Sequence, residues 1–174
     1  NEGSMIKRII AAVLINVLAF GGIIHHAHAE FHEIQKRKSL ECLAMNIYFE
    51  TRASSLADAM AVSDVVMNRV YSRHFPNNIC DVIYQAIKHQ DGSPKRNQCQ
   101  FSWYCDGKKD IPTDDTAWEK SRKYASDFYI YSKYIGITEG ATHYHATYVK
   151  PYWAPTLDRI TRIGSHIFYR QKGG

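Results

Sequence analysis

The chain has 174 residues, of which 45% are hydrophobic and 13% aromatic, enough for one packed domain with a short N-terminal extension. Its formal charge of +5 is a modest excess that suits an acidic polymer, such as a bacterial wall or a nucleic acid. No dense basic run or nucleic-acid motif is present, which leaves nucleic acid the weaker partner of the two.

Residues 1–4, Asn-Glu-Gly-Ser, precede Met5 and read as a remnant of recombinant expression. Lys7-Arg8 then form a charged head, followed by an apolar run from Ile9 to Ile24 that only Asn16 interrupts. Ala27-His28-Ala29 has the small-x-small pattern of a signal-peptidase site. The run is short of the roughly 20 residues that span a bilayer. Residues 5–29 are therefore expected to be a secretory signal cleaved after Ala29, with a retained, releasable anchor as the alternative. That segment is the one expected membrane contact. Residues 30–174 are expected to fold as one domain, working as an exported monomer in the periplasm or outside the cell.

Cys42, Cys80, Cys99 and Cys105 agree with that destination, since an exported chain with an even cysteine count forms disulfides. Three connectivities are possible. The expected one staples Cys99 to Cys105 locally and joins two helices through Cys42 and Cys80. A zinc site is the alternative, but no C-x-x-C pair is present.

Residues 30–38 read as a polar leader. Ser39 is a candidate N-cap for a first helix carrying Leu40, Leu43, Ala44 and Ile47 at helical spacing. Glu50 then stands at the C-terminal end of that helix, in Asn46-Ile47-Tyr48-Phe49-Glu50-Thr51-Arg52. A carboxyl beside apolar rings loses hydration, which raises its pKa and suits it to general-acid work. The plainer reading of the same stretch is a surface ion pair between Glu50 and Arg52.

Ala53-Ser54-Ser55 break the pattern and recap a second helix over about 56–72. Leu56, Ala59, Met60, Val62, Val66, Met67 and Val70 fall on its core face. Asp58, Asp64, Asn68, Arg69 and Ser72 fall on the other, read as solvated or as the border of a groove. Phe75-Pro76-Asn77-Asn78 is a turn, 79–87 a short helix and 88–98 a polar loop. Cys99 to Gly107 is dense in rings and hydrogen-bonding side chains, as a sugar-binding cleft requires; a stapled turn around a packed Trp103 is an equal local account. Residues 114–135 read as the longest helix, with Thr116 and Glu119 spaced as a capping box and Ala117, Ser121, Ala125 and Phe128 as its packing stripe. Residues 141–146 and 163–170 are short and β-like, around a loop with Pro151, Trp153 and Pro155. They predict a small antiparallel sheet on one side of a helical body, an α+β fold.

His143 and His145 share a strand face, but no third ligand stands at a recognisable spacing, and His32-Glu33 meets Lys36 where a helical zinc motif has its second histidine. No metal and no cofactor is expected. A Cys105–histidine peptidase is disfavoured because an exported cysteine of this kind is oxidised.

Five stretches in order resemble the SleB/CwlJ-type cell-wall hydrolases: Asn46 to Arg52 with Ala61-Val62 and Val66-Met67-Asn68-Arg69-Val70; Phe75-Pro76 with Ile79 to Gln85; Gln100 to Gly107; Gly140 to Ala146; and Ile163 to Arg170. The resemblance covers about residues 40–170. It implies a lysozyme-like, largely helical fold related to lytic transglycosylases, and cleavage of peptidoglycan glycan strands with Glu50 as catalytic acid. Family members often read Glu-Ala-Arg-Gly-Glu; here Ser54 replaces the second acid. A lone acid suits a transglycosylase cleaving the MurNAc–GlcNAc β-1,4 bond, as a phage endolysin or a bacterial remodelling enzyme. The alternatives are a hydrolytic muramidase, with Asp58, Asp64, Asp106 or Glu139 as second carboxylate, and a non-catalytic wall-binding protein. Gln100, Ser102, Tyr144 and His145 are the expected cleft residues.

Overall fold

The computed structural model of the protein describes residues 28–52 and 55–172. The signal or anchor expected over 5–29 falls almost wholly outside the described residues, as do Ala53 and Ser54. Among the described residues, no helix is long and apolar enough to cross a membrane.

The chain divides into two compact units, Asn1–Arg37 and Lys38–Gly174. In the first, residues 28–37 are helical and exposed. The polar leader expected there is thus a helix. Glu33, Gln35, Lys36 and Arg37 are strong helix formers, and Glu33 pairs with Lys36 one turn on.

The second unit opens with helix α1, residues 38–51, which is already helical at Ser39, so Ser39 is not a cap. Leu43, Ala44, Ile47 and Tyr48 are buried at helical spacing. Cys42 is bonded to Cys80 of the short helix α3, Ile79–Ile83.

Helix α2, Leu56–Tyr71, begins at an N-cap on Ser55, whose hydroxyl accepts from the Asp58 N–H at 3.0 Å. Ala59, Met60, Ala61, Val62, Val65 and Val66 have no exposed surface, so α2 is enclosed nearly all round. Its polar face is not solvated. Asp64 accepts from the N–H groups of Gly136 (2.7 Å) and Thr138 (2.9 Å). The amide of Asn68 donates to the Ala141 carbonyl at 2.9 Å, and Arg69 Nε donates to the Thr142 carbonyl at 2.8 Å. These side chains serve as the anchor for the C-terminal third of the chain. Leu56, read as core, is 36% exposed because it sits in the first turn, outside that enclosure.

The segment 86–99 departs from its expected helix end and loop. It is a hairpin, β1 (Ala86–Lys88) with β2 (Pro94–Cys99), joined antiparallel. The sequence of β2, Pro-Lys-Arg-Asn-Gln-Cys, has neither β-branched residues nor apolar alternation. A 3-10 turn follows at Ser102–Cys105, tied to β2 by the Cys99–Cys105 disulfide.

Helix α4, Asp115–Tyr129, is capped by the Asp114 carboxylate, which accepts from the Ala117 N–H at 2.9 Å. The cap is therefore not the Thr116–Glu119 box, and the helix, at 15 residues, is one shorter than α2. Ser121, Ala125 and Phe128 are buried. Three strands close the chain: β3 (His143–Ala146), β4 (Asp158–Ile163) and β5 (His166–Arg170), in antiparallel order β3-β5-β4. The stretch 163–170 is not one strand, because it folds back at Gly164-Ser165. Gly164 has φ +53°, and a Cβ there would collide with the Asp58 carboxylate.

Candidate active site

Glu50 sits in the last turn of α1, and each of its neighbours is tied down. Phe49 stacks on Trp103 with centroids 4.8 Å apart, and the indole N–H donates to Asn46 Oδ1 at 3.0 Å. The Tyr48 hydroxyl accepts from the N–H groups of Thr113 (3.1 Å) and Asp114 (3.2 Å), pinning the entry to α4. The helix stops at Arg52, which has φ +51° and donates its N–H to the Tyr48 carbonyl. The Arg52 guanidinium lies over the Tyr48 ring at 5.4 Å. No ion pair joins Arg52 to Glu50 among the described residues, so the surface-pair reading of this stretch does not hold.

The Glu50 carboxyl faces a cleft of about 620 Å³. Burial pushes its pKa above the ordinary value, against the Tyr144 hydrogen bond and the positive potentials of His166 and Arg69. The negative end of α1 acts in the same direction as burial. Tyr144, from β3, donates its hydroxyl to Glu50 Oε2 at 2.9 Å. Burial, followed by the Glu50 charge, drives the Tyr144 phenol well above its usual range, so it remains a donor. Its ring is tilted on Phe168 at 5.6 Å and meets His166 edge-on at 5.2 Å.

Gln100, Ser102, Tyr144 and His145 all line the cleft that holds Glu50. Gln100 is held through its N–H to the Gln85 carbonyl at 2.9 Å, at the end of the hairpin. His145 Nε2 meets the Tyr169 hydroxyl at 2.9 Å, with the two rings stacked. His143 and His145 both pack against Trp153. The two rings share a face, as the strand period requires, and each is placed by aromatic packing. Among the described residues no group of three metal-ligating side chains stands together.

Sequence reasoning left Arg69 undecided and did not single out His166 or Asp110, and all three line the cleft. Arg69 is 4% exposed, with its guanidinium over Phe101 (5.0 Å) and Phe75 (5.3 Å). Its step along α2 relative to Asn68 and Val66 was the available signal. His166 is carried by the first position of β5, and its Nδ1 is 3.1 Å from Asp58 Oδ1. Of the four carboxylates proposed as a second acid, Asp106 alone borders the cleft. Asp58 and Asp64 are buried in the hydrogen bonds of α2, and Glu139 occupies a left-handed turn. Asp110 also borders the cleft, and burial, then Asp106, raises its pKa.

Fold and cleft together define a lysozyme-like, mostly helical α+β protein with a polar, aromatic-walled groove. The chain belongs to the cell wall hydrolase family, whose model matches residues 53–169. The matched segment begins just after Glu50. A spore cortex-lytic enzyme of Halalkalibacterium halodurans is 28% identical over 130 residues, 74% of this chain. The chain spans about a third of that relative's length, 34%. Among solved structures, the catalytic domain of SleB from Bacillus cereus superposes with a TM-score of 0.53 at 24% identity, over 77% of this chain and 91% of that one. The catalytic domain of the germination-specific lytic transglycosylase SleB from Bacillus anthracis gives 0.54 at 25% identity, over 76% and 93%.

Proposed function

We propose that this protein cleaves the MurNAc–GlcNAc β-1,4 bond of peptidoglycan glycan strands as a lytic transglycosylase, with Glu50 as acid and then base. The observation that carries the reading is the Glu50 carboxyl itself, its pKa raised by burial and its position fixed in a groove by Tyr144. In the first step the Glu50 proton passes to the glycosidic oxygen while the bond from that oxygen to C1 breaks. The resulting carboxylate is stabilised by the Tyr144 hydroxyl and by the positive potentials of His166 and Arg69. In the second step the C6 hydroxyl of the same MurNAc bonds to C1 and gives its proton to Glu50. The product is a 1,6-anhydro sugar, and Glu50 is restored.

The groove is furnished for a glycan. Phe49, Trp103 and Tyr148 supply ring surface, and Gln100, Ser102 and His145 supply hydrogen-bonding groups beside it. The relatives named as spore cortex-lytic enzyme and lytic transglycosylase support the same substrate and reaction. The protein acts outside the cytoplasm as a monomer, exported by its N-terminal segment. Hydrolysis is the second reading, because Asp106 and Asp110 border the same groove and either could activate a water.

The test is Glu50→Gln, which keeps the side-chain shape and removes the proton. Lysis of purified walls should fall by about 10²–10⁴-fold with the melting transition retained. Lysis at the wild-type rate would remove Glu50 from the mechanism and favour a wall-binding role without catalysis.

A further inference from the structure

Behind Tyr144 lies a buried pair, Asp58 and His166, to which the glutamate mechanism assigns no contact with the substrate. Asp58 is 5% exposed and His166 is 8% exposed. The Asp58 carboxylate accepts from Ser55 Oγ (2.7 Å), from Ser165 N (3.0 Å) and from Ser165 Oγ (3.2 Å). Burial works to raise its pKa, but these bonds together with His166 hold it below the ordinary value. An ionised carboxylate only accepts hydrogen bonds, so the proton between it and His166 belongs to Nδ1. That fixes the ring's orientation and turns Nε2 away from Asp58.

Nε2 has no partner among the described residues, yet it is not one of the sealed, unpartnered atoms of the structure, which are Asn46 Nδ2, Arg69 Nη1, Gln85 Oε1 and Arg170 Nε. His166 lines the cleft and Asp58 does not. The ring therefore turns one nitrogen into the protein and leaves the other open to the groove, beside the Tyr144 ring and within the electrostatic reach of Glu50. A clamp between α2 and the sheet would not need this opening, because the N–H and hydroxyl of Ser165 already tie the turn to Asp58.

We propose that His166 is a second residue of the site that touches the glycan: with its ring set by Asp58, its Nε2 forms a hydrogen bond with a hydroxyl of the sugar seated over Glu50. Asp58 is the positioning residue that sets the orientation of the ring. The proposal rests on the glycan-cleaving role of the cleft, and it adds a contact that orients the sugar relative to the acid.

His166→Asn and His166→Gln separate the two ends of the ring. The Asn amide reaches the Nδ1 position and keeps the bond to Asp58, whereas the Gln amide reaches the Nε2 position. On soluble, peptide-free GlcNAc–MurNAc oligomers, His166→Asn should retain the wild-type melting transition and lose about 10- to 100-fold in kcat/KM. His166→Gln should recover part of that loss. Wild-type kcat/KM in a folded His166→Asn protein would overturn the proposal and leave His166 as a clamp. If that variant does not fold, the ¹⁵N resonance of His166 Nε2 is read in Glu50→Gln protein as the oligomer is added. A shift at Nε2 supports the contact, and an unmoved resonance in oligomer-bound protein overturns it. Activity retained by Glu50→Gln would overturn the acid assignment instead, whatever the His166 variants do.

Discussion

Glu50 stands between opposing influences of unequal size. Burial raises its pKa, while the Tyr144 hydroxyl, His166 and Arg69 lower it, and burial prevails. The weaker set gains value once the proton has left, because each member then stabilises a carboxylate. Tyr144→Phe removes the nearest of them and leaves the ring against Phe168 and His166. With that hydrogen bond gone, Glu50 holds its proton more tightly. Activity that depends on protonated Glu50 is lost as pH rises through its pKa, so the alkaline limb of the rate profile should move to higher pH. The rate at its optimum should fall about tenfold, because the carboxylate formed in the first step loses a donor. An alkaline limb that stays in place in the Phe variant would show that Tyr144 does not act on Glu50.

Helix α2 orders the unit by using both of its faces. Its apolar side packs with α1 and α3 residues in the core, and its polar side binds the chain from Gly136 to His166 through Asp58, Asp64, Asn68 and Arg69. Asp64→Ala leaves the N–H groups of Gly136 and Thr138 without their acceptor. It should cost roughly 3 kcal/mol, read as a lowered urea midpoint. A midpoint within error of wild type would mean that water satisfies those groups as well as the carboxylate does. The same helix shows where sequence pattern stops being informative. Its start at Ser55 and its apolar stripe were legible, because capping and the 3.6-residue period are local properties. The fate of Asp58 and Asp64 was not, since it depends on backbone donors more than 70 residues away. The hairpin at 86–99 was hidden for another reason: its second strand is polar and has no fully buried residue, so no alternating pattern marks it. The cleft residues fared better. Glu50, Gln100, Ser102, Tyr144 and His145 lie in stretches dense in rings and polar side chains, and all of them reach the same groove. His166 carried no such signal, because the stretch 163–170 read as one plain strand and the turn at Gly164-Ser165 that places the ring depends on Asp58, over 100 residues away.

Across the whole molecule, the groove is assembled from distant parts of the chain: the end of α1, the stapled turn at 102–105, the segment from Asp106 to Thr113, and the C-terminal sheet. Two disulfides hold these parts, Cys42 to Cys80 behind α1 and Cys99 to Cys105 beneath the turn. Chain closure of this kind stabilises the folded state at the expense of the unfolded ensemble. It suits a small domain that keeps the Glu50 carboxyl dehydrated and an unpartnered buried donor on Arg69. The groove's wall carries both signs of charge, with Arg52, Lys108 and Lys109 beside Asp106 and Asp110. Its carboxylates are the reason the reaction outcome, and not only the identity of the acid, decides the mechanism. The direct measurement is mass spectrometry of the fragments that the wild-type protein releases from purified peptidoglycan. A transglycosylase that works through Glu50 alone produces muropeptides ending in 1,6-anhydro-MurNAc, and Glu50→Gln produces none. Fragments with ordinary reducing ends, each carrying the mass of one added water, would contradict it and assign the second step to Asp106 or Asp110.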